Sequence, residues 1–181
     1  IARIKDQIIA FGKQSMEFFF NNGTANSPFL RIDQNSLQIG MATKNSLAWA
    51  GDTLCWVSET PAVGAGGRAV WTIEASAKGF KISTPAIERF LNAEGTSISS
   101  CTAWMESVAG HLIYVLNLSS ANRTFVYDFV SQSWTEWSAT TAVKFNGIAA
   151  TSLNGTVYVQ DASNGRVYTL SPSTYQDSGS N

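Results

Sequence analysis

The chain has 181 residues, of which 44% are hydrophobic and only 14% charged, with 12 basic and 13 acidic side chains for a net charge of −1. A charged fraction well under the ~25% of an average globular domain, with no basic run to neutralise a phosphate backbone, excludes a dedicated sequence-reading nucleic-acid domain. No apolar run approaches the ~20 residues of a membrane-spanning helix; two cysteines, Cys55 and Cys101, outside any CxxC spacing read as plain buried thiols or as thiols of a reduced compartment, and a single histidine, His111, sharply limits metal and triad chemistry.

Ser, Thr, Asn and Gly make up 64 of the 181 residues, a balance that suits many short strands and turns rather than long charged helices. In chain order, residues 7–12 and 15–20 are apolar runs joined by a short turn, which predicts a hairpin. Residues 21–28 read as a loop. Residues 46–50 and 53–58 predict two strands hinged at Gly51-Asp52, and 60–67 a glycine-rich turn. Arg68–Glu74 alternates apolar and polar and leads into a strand at 79–82. The period then changes. Thr84 is a capping residue, Pro85 occupies a first helical position where it forfeits no hydrogen bond, and Ile87, Phe90 and Leu91 follow at helical spacing, so a short helix is expected over 84–92. Strand patterns resume at 99–105, 111–118, 124–129, 133–138, 147–153, 156–160 and 166–170. Turn chemistry separates them at Ala109-Gly110, Ser119–Asn122, Ser131-Gln132, Asn154-Gly155 and Asn164-Gly165. The Ser, Pro and Gly content of 172–181 predicts a flexible tail.

The segments repeat. Gly51-Asp52-Thr53-Leu54-Cys55-Trp56-Val57, Gly110-His111-Leu112-Ile113-Tyr114-Val115-Leu116 and Gly155-Thr156-Val157-Tyr158-Val159 each open on a turn glycine, run into an apolar strand and are followed by a second strand. The hairpin over 8–20 fits the same frame. Gly110 and Gly155 are 45 residues apart, and the expected helix accounts for the longer spacing between Gly51 and Gly110. About four strands in a period near 45 is the arithmetic of a β-propeller blade. A four-stranded sheet with two apolar faces cannot bury both alone, and stacking such sheets around an axis covers each with its neighbour. A β-sandwich also has short strands at regular spacing; the repeat favours the propeller. The expected fold is all-β, about four blades of antiparallel sheet over 1–171 with one short helix. The chain opens on Ile1 rather than Met, and four blades make an arc, so a fragment of a larger ring is expected.

Several strings occur in an order that resembles the packaged-DNA stabilisation proteins of short-tailed phages. They are Gly12-Lys13-Gln14-Ser15-Met16-Glu17-Phe18, Ser27-Pro28-Phe29, Leu37-Gln38-Ile39-Gly40, Asp52-Thr53-Leu54-Cys55-Trp56-Val57 and Lys81-Ile82-Ser83-Thr84-Pro85-Ala86-Ile87-Glu88. Then come Gly110-His111-Leu112-Ile113-Tyr114, Thr124-Phe125-Val126-Tyr127-Asp128 and Ser133-Trp134. The family-like positions are Ser15, Glu17, Gly40, Trp56, Ser83, Thr84, Gly110, His111, Tyr114, Tyr127, Asp128 and Trp134. The resemblance implies a propeller-like fold and a non-enzymatic structural role in the virion. Such a protein is made in the bacterial cytoplasm, assembles as a homo-oligomeric ring with portal and tail proteins, extends the DNA channel below the portal and helps retain the packaged genome, touching DNA without reading its sequence. It implies no cofactor and no membrane.

Catalytic readings compete with plainer ones. His111 as a general base needs a nucleophile or carboxylate beside it; bonding a loop carbonyl at a blade edge is the expected role. A propeller glycosidase needs paired carboxylates, for which Asp52, Asp128, Glu17, Glu74, Glu88, Glu106 and Glu136 are available. Asp52 and Asp128 stand in turn contexts where an aspartate bonds the backbone two residues on, and Glu17 and Glu74 point outward from strands. Trp104, Trp134 and Trp137 read as packing between blades in preference to a sugar platform, which keeps a carbohydrate- or host-surface-binding propeller as the alternative. Gly64, Gly66 and Gly67 lack the Lys-Ser or Lys-Thr of a phosphate loop.

Overall fold

The computed structural model describes residues 1–33, 36–60, 67–74, 78–139 and 144–171. The chain divides into two compact units, Ile1–Ala93 and Glu94–Asn181. Each contains two antiparallel sheets in which sequential strands are neighbours.

In the first unit, sheet A is β1 (Ala2–Ile4), β2 (Gln7–Phe11), β3 (Met16–Asn21) and β4 (Phe29–Arg31), and sheet B is β5 (Ala48–Ala50), β6 (Thr53–Glu59), β7 (Arg68–Ile73) and β8 (Gly79–Lys81). Helix α1 (Pro85–Ala93) follows. In the second unit, sheet C is β9 (Thr102–Val108), β10 (His111–Leu118), β11 (Arg123–Asp128) and β12 (Ser133–Trp137), and sheet D is β13 (Gly147–Leu153), β14 (Thr156–Asp161) and β15 (Val167–Leu170). Among the described residues, four short meander sheets of three or four strands with one short α-helix repeat the all-β sheet module that the sequence predicts.

The repeat has a backbone signature. Every sheet opens with a two-residue hairpin whose first residue is left-handed: Lys5 (φ 50°), Gly51 (56°), Ala109 (51°) and Asn154 (51°). In sheets C and D the second residue is also left-handed, Gly110 at 86° and Gly155 at 78°, which is the type I′ turn that matches strand twist.

Adjacent sheets within each unit bury their facing sides together. Ile4, Ile9, Met16 and Phe18 of sheet A form one core with Leu54, Trp56 and Ile73 of sheet B. Trp104, Ile113, Val115 and Val126 of sheet C form another with Val157 and Val159 of sheet D. The registers explain the membership: Trp104, Val115 and Val126 lie opposite one another on consecutive strands and therefore share a face.

Four strands differ from the sequence expectation. The strand expected from residue 99 begins at Thr102, because Gly95–Ser100 is a 3-10 helix. The strand expected from 46 begins at Ala48, after a 3-10 turn at Lys44–Ser46. Strands β1 and β4 were not expected; at three residues each they are too short for alternation to show, and pairing with β2 and β3 alone defines them. Most of the expected 60–67 turn, and all of 172–181, lie outside the described residues.

Candidate functional site

The family-like residues fall into three clusters. The first joins sheets A and B. The β2–β3 turn closes through Gly12 N–H donating to the Ser15 carbonyl at 2.7 Å. The chain after β4 returns to grip this turn. Met16 and Leu37 exchange two backbone hydrogen bonds (2.9 and 3.1 Å), and Met41 N–H donates to the Gly12 carbonyl at 3.0 Å. Between them Gly40 lies so close to the turn that a Cβ there would stand 2.0 Å from the Lys13 carbonyl oxygen. Only glycine fits such a backbone-on-backbone approach. The Gly40 carbonyl accepts the indole N–H of fully buried Trp56 at 3.1 Å, and Phe11 meets the same indole edge-on with ring centroids 5.3 Å apart. Ser15, Gly40 and Trp56, far apart in sequence, thus belong to one clamp. Glu17 lies on the outer face of sheet A and pairs with Arg31 at 2.9 Å; Arg31 also reaches Asp33 at 2.7 Å.

The second cluster is the entry to α1. Ser83 Oγ accepts the Val70 N–H at 3.1 Å and donates to Glu88 Oε1 at 3.0 Å. Thr84 Oγ1 caps the Ile87 N–H at 3.5 Å, and Lys81 pairs with Glu88 at 2.7 Å. Sequence reasoning missed the counterpart on the other side of the sheet: Ser46 Oγ accepts the Val57 N–H at 3.0 Å while donating to the Thr43 carbonyl at 2.7 Å. Val57 and Val70 are directly paired. The two buried serine hydroxyls therefore stand in for ladder partners where the edge strands β5 and β8 stop short, which satisfies buried amides that would otherwise be orphaned.

The third cluster lies at one end of sheet C. Asp128 Oδ1 accepts the Val130 N–H at 2.8 Å, the turn-bracing bond expected of an aspartate there. Its Oδ2 accepts from Ser131 Oγ and from His111 Nδ1, both at 2.8 Å. Burial pushes this carboxyl up, and the hydrogen bonds from Val130, His111 and Ser131 outweigh burial and bring it down to about 2. An ionised carboxylate can only accept, so Nδ1 carries the proton. His111 thus bonds a carboxylate rather than the loop carbonyl expected, because the register brings the start of β10 beside the end of β11. Behind it Met105, Tyr114, Tyr127 and Trp134 form a row across the four strands. Tyr127 packs 5.2 Å from Trp134 and 5.0 Å, edge-on, from Phe129. Gly110 supplies the left-handed turn residue before His111.

Sheets C and D are joined by groups the motif reading did not single out. The Gly147 carbonyl accepts both Trp104 Nε1 (3.0 Å) and Asn117 Nδ2 (2.7 Å). Thr124 Oγ1 lies within hydrogen-bond reach of Asn117 Oδ1 and of the Phe145 carbonyl. Trp137 stacks edge-on to Phe145 at 5.5 Å and stands 6.4 Å from Trp104. Trp104 and Trp137 therefore pack between sheets; the signal that could have found the join is the glycine at the head of β13. Elsewhere in this unit, buried Glu94 pins the β10–β11 turn by accepting the N–H groups of Ser120 (2.9 Å) and Ala121 (2.6 Å).

Asp52 is exposed at its turn. Among the described residues no group of three or more His, Cys, Asp or Glu side chains is placed to hold a metal. Cys55 and Cys101 are buried free thiols, and burial pushes Cys55 far above its usual range. No helix among the described residues is long and apolar enough to cross a membrane.

What these clusters do is brace turns and lock one sheet on the next. Comparison with known proteins agrees with that mechanical reading. No curated protein matches the chain. A family model described as bacteriophage P22 Gp10, β-propeller, matches residues 1–175. The match covers both units and carries with it a structural role in the phage virion, in association with other virion proteins. The chain belongs to this phage stabilisation family of β-propeller proteins.

Proposed function

We propose that the chain is a non-enzymatic part of the tail hub or nozzle, in which a ring of copies extends the DNA exit channel below the portal and helps keep the packaged genome from leaking. The observation that carries this reading is the family match over residues 1–175 on a chain whose family-like residues brace turns and join sheets. Work of this kind is geometric. Rigid stacked sheets hold a channel open against pressure, and the polar groups that make them rigid are internal hydrogen bonds between sheets and turns.

The charge balance supports the DNA side of the proposal. Each basic contact with duplex DNA adds a counterion-release term to its affinity. A chain of net charge −1 and pI near 5.8 supplies few such contacts, so DNA passes the wall without adhering. The partners on this reading are the portal, neighbouring tail proteins and further copies of the same protein.

The test is assembly in the presence and absence of the protein. Particles lacking it are expected to package DNA and then lose it, measured as nuclease-sensitive DNA, and the protein is expected to co-purify with portal and tail components. Full DNA retention without the protein, or selective binding on a glycan array with no portal association, overturns the proposal.

A further inference from the structure

Asn-Gly occurs four times in the chain, at 22–23, 146–147, 154–155 and 164–165. The dipeptide carries a reaction within itself. Glycine has no side chain to shield its backbone nitrogen, and that nitrogen can attack the carboxamide carbon of the asparagine before it. The attack needs a carboxamide and a glycine N–H that are both unengaged, in backbone that can move.

The fold treats the four copies differently. At 22–23 the Gly23 N–H donates to Asn21 Oδ1 at 2.9 Å, and Asn22 Oδ1 accepts from the Thr24 N–H and from Thr24 Oγ1 at 3.1 and 2.9 Å. At 164–165 the Gly165 N–H donates to the Asp161 carbonyl at 3.1 Å, while the Asn164 carboxamide accepts the Arg166 N–H at 2.8 Å and donates to the Tyr168 hydroxyl at 3.0 Å. At 146–147 the glycine is buried in the join of sheets C and D, crowded by Phe145 and Val159, with its carbonyl holding Trp104 and Asn117. At 154–155, in the two-residue turn between β13 and β14, both residues are exposed, as are Ser152 and Leu153 before them. Among the described residues neither the Asn154 carboxamide nor the Gly155 N–H is held by a hydrogen bond. Opening this turn uncovers no core, and segments with few buried contacts are the ones that open locally with little free energy.

We infer that Asn154 is a modification site of this chain, at which the asparagine deamidates through its own backbone while the other three Asn-Gly pairs are protected by the fold. The lone pair of the Gly155 nitrogen forms a bond to Asn154 Cγ, the N–H proton passes to water, and the Cγ–Nδ2 bond breaks to release ammonia. Water then opens the five-membered imide. Attack at Cγ breaks the new C–N bond and leaves aspartate; attack at the main-chain carbonyl carbon breaks the original peptide bond and leaves isoaspartate. Nothing is oxidised or reduced, and the reactants are the chain and water. The two products act differently on sheet D. Aspartate adds a negative charge to an exposed turn and keeps its length. Isoaspartate routes the backbone through one more carbon, and a two-residue turn fixes register by its length, so the Leu153–Thr156 pairing loosens.

Ageing the unaltered full chain at mildly alkaline pH, then mapping its peptides by mass spectrometry and by enzymatic methylation of isoaspartate, tests the assignment without any variant that could misfold. The peptide holding Asn154 should convert about tenfold faster than those holding Asn22 and Asn164, where one or more hydrogen bonds must break before the attack, and faster than the peptide holding Asn146. Equal or faster conversion at any of the other three overturns the inference. In concentrated urea the four sites should convert at a common rate. A lead for Asn154 that survives unfolding makes the flanking sequence, not the turn, the cause of selection, and overturns the inference as well. Amide exchange on the aged chain reads the consequence: the isoaspartate fraction should lose protection in the Leu153–Thr156 pair with β10 and β11 unchanged, and unchanged exchange at that pair rejects the loosened turn.

Discussion

Both units join neighbouring sheets by a tryptophan N–H donating to a glycine carbonyl, and they differ in how much else supports the join. In the first unit Trp56 reaches Gly40, and Gly40 is pressed against the backbone of the Lys13-Gln14 turn, with hypothetical Cβ distances of 2.0 to 2.3 Å. In the second unit Trp104 reaches Gly147, whose hypothetical Cβ would meet the Phe145 ring at 2.3 Å and the Val159 side chain at 2.4 Å, and whose carbonyl also accepts Asn117. Side chains can rotate away and a second donor can hold the carbonyl, whereas backbone cannot move without dragging a turn with it. The first join is built on one irreplaceable contact and the second on a shared network.

The largest expected effect is therefore Gly40→Ala. Displacing the β2–β3 turn should cost about 3 kcal/mol or more, and Gly147→Ala about 1–3 kcal/mol, since overpacking is cheaper where side chains can give. Thermal unfolding of the two variants checks the order, and a greater loss for Gly147→Ala breaks the comparison. Next come the donors. Trp56→Phe strands the buried Gly40 carbonyl and should cost about 2 kcal/mol more than an equal loss of ring volume explains. Trp104→Phe leaves Asn117 on Gly147 and should show an excess of under about 1 kcal/mol, read by denaturant titration.

A pH titration sharpens the account of sheet C. The Asp128 carboxyl lies at about 2 in the fold, below the ~3.9 of an unperturbed aspartate. A depressed carboxylate contributes its full stabilisation above about pH 4 and loses it as pH falls toward 2, because the unfolded chain takes up the proton first. Asp128→Asn should flatten stability across that window, and an unchanged acid limb counts against the brace. The smallest effect is at the first hairpin of sheet C. Ala109 adopts φ 51° where the matching turn of sheet D uses Asn154. Ala109→Asn should raise stability by about 0.5 kcal/mol, since asparagine tolerates the left-handed region better than alanine; a lower melting temperature contradicts the assignment.

How much was legible beforehand varies with how local the cause is. Strands β2, β3, β6, β7 and β10 to β15 were readable because alternation and turn residues are written in a few consecutive positions. Helix α1 was readable because Thr84 and Pro85 mark its start. The turn role of Asp128 was readable too, being a bond to the residue two positions on. Strands β1 and β4 were not, since three residues carry no period. Nor was the partner of His111, because a 17-residue separation in sequence becomes 2.8 Å only once β10 and β11 are in register.

The sequence alone determined the sheet module and its recurrence, through the turn glycines, the strand alternation and a spacing that no isolated sheet explains. Tertiary structure decided which surfaces that module uses to hold its neighbour. Gly40 reads as an ordinary turn glycine until it is found against Lys13, and Ser46 reads as the first residue of a strand and Ser83 as the approach to a helix until each is found completing the ladder of Val57 or Val70. Hydrogen bonding and close packing depend on distances between residues remote in the chain, and those distances exist only after the sheets have stacked.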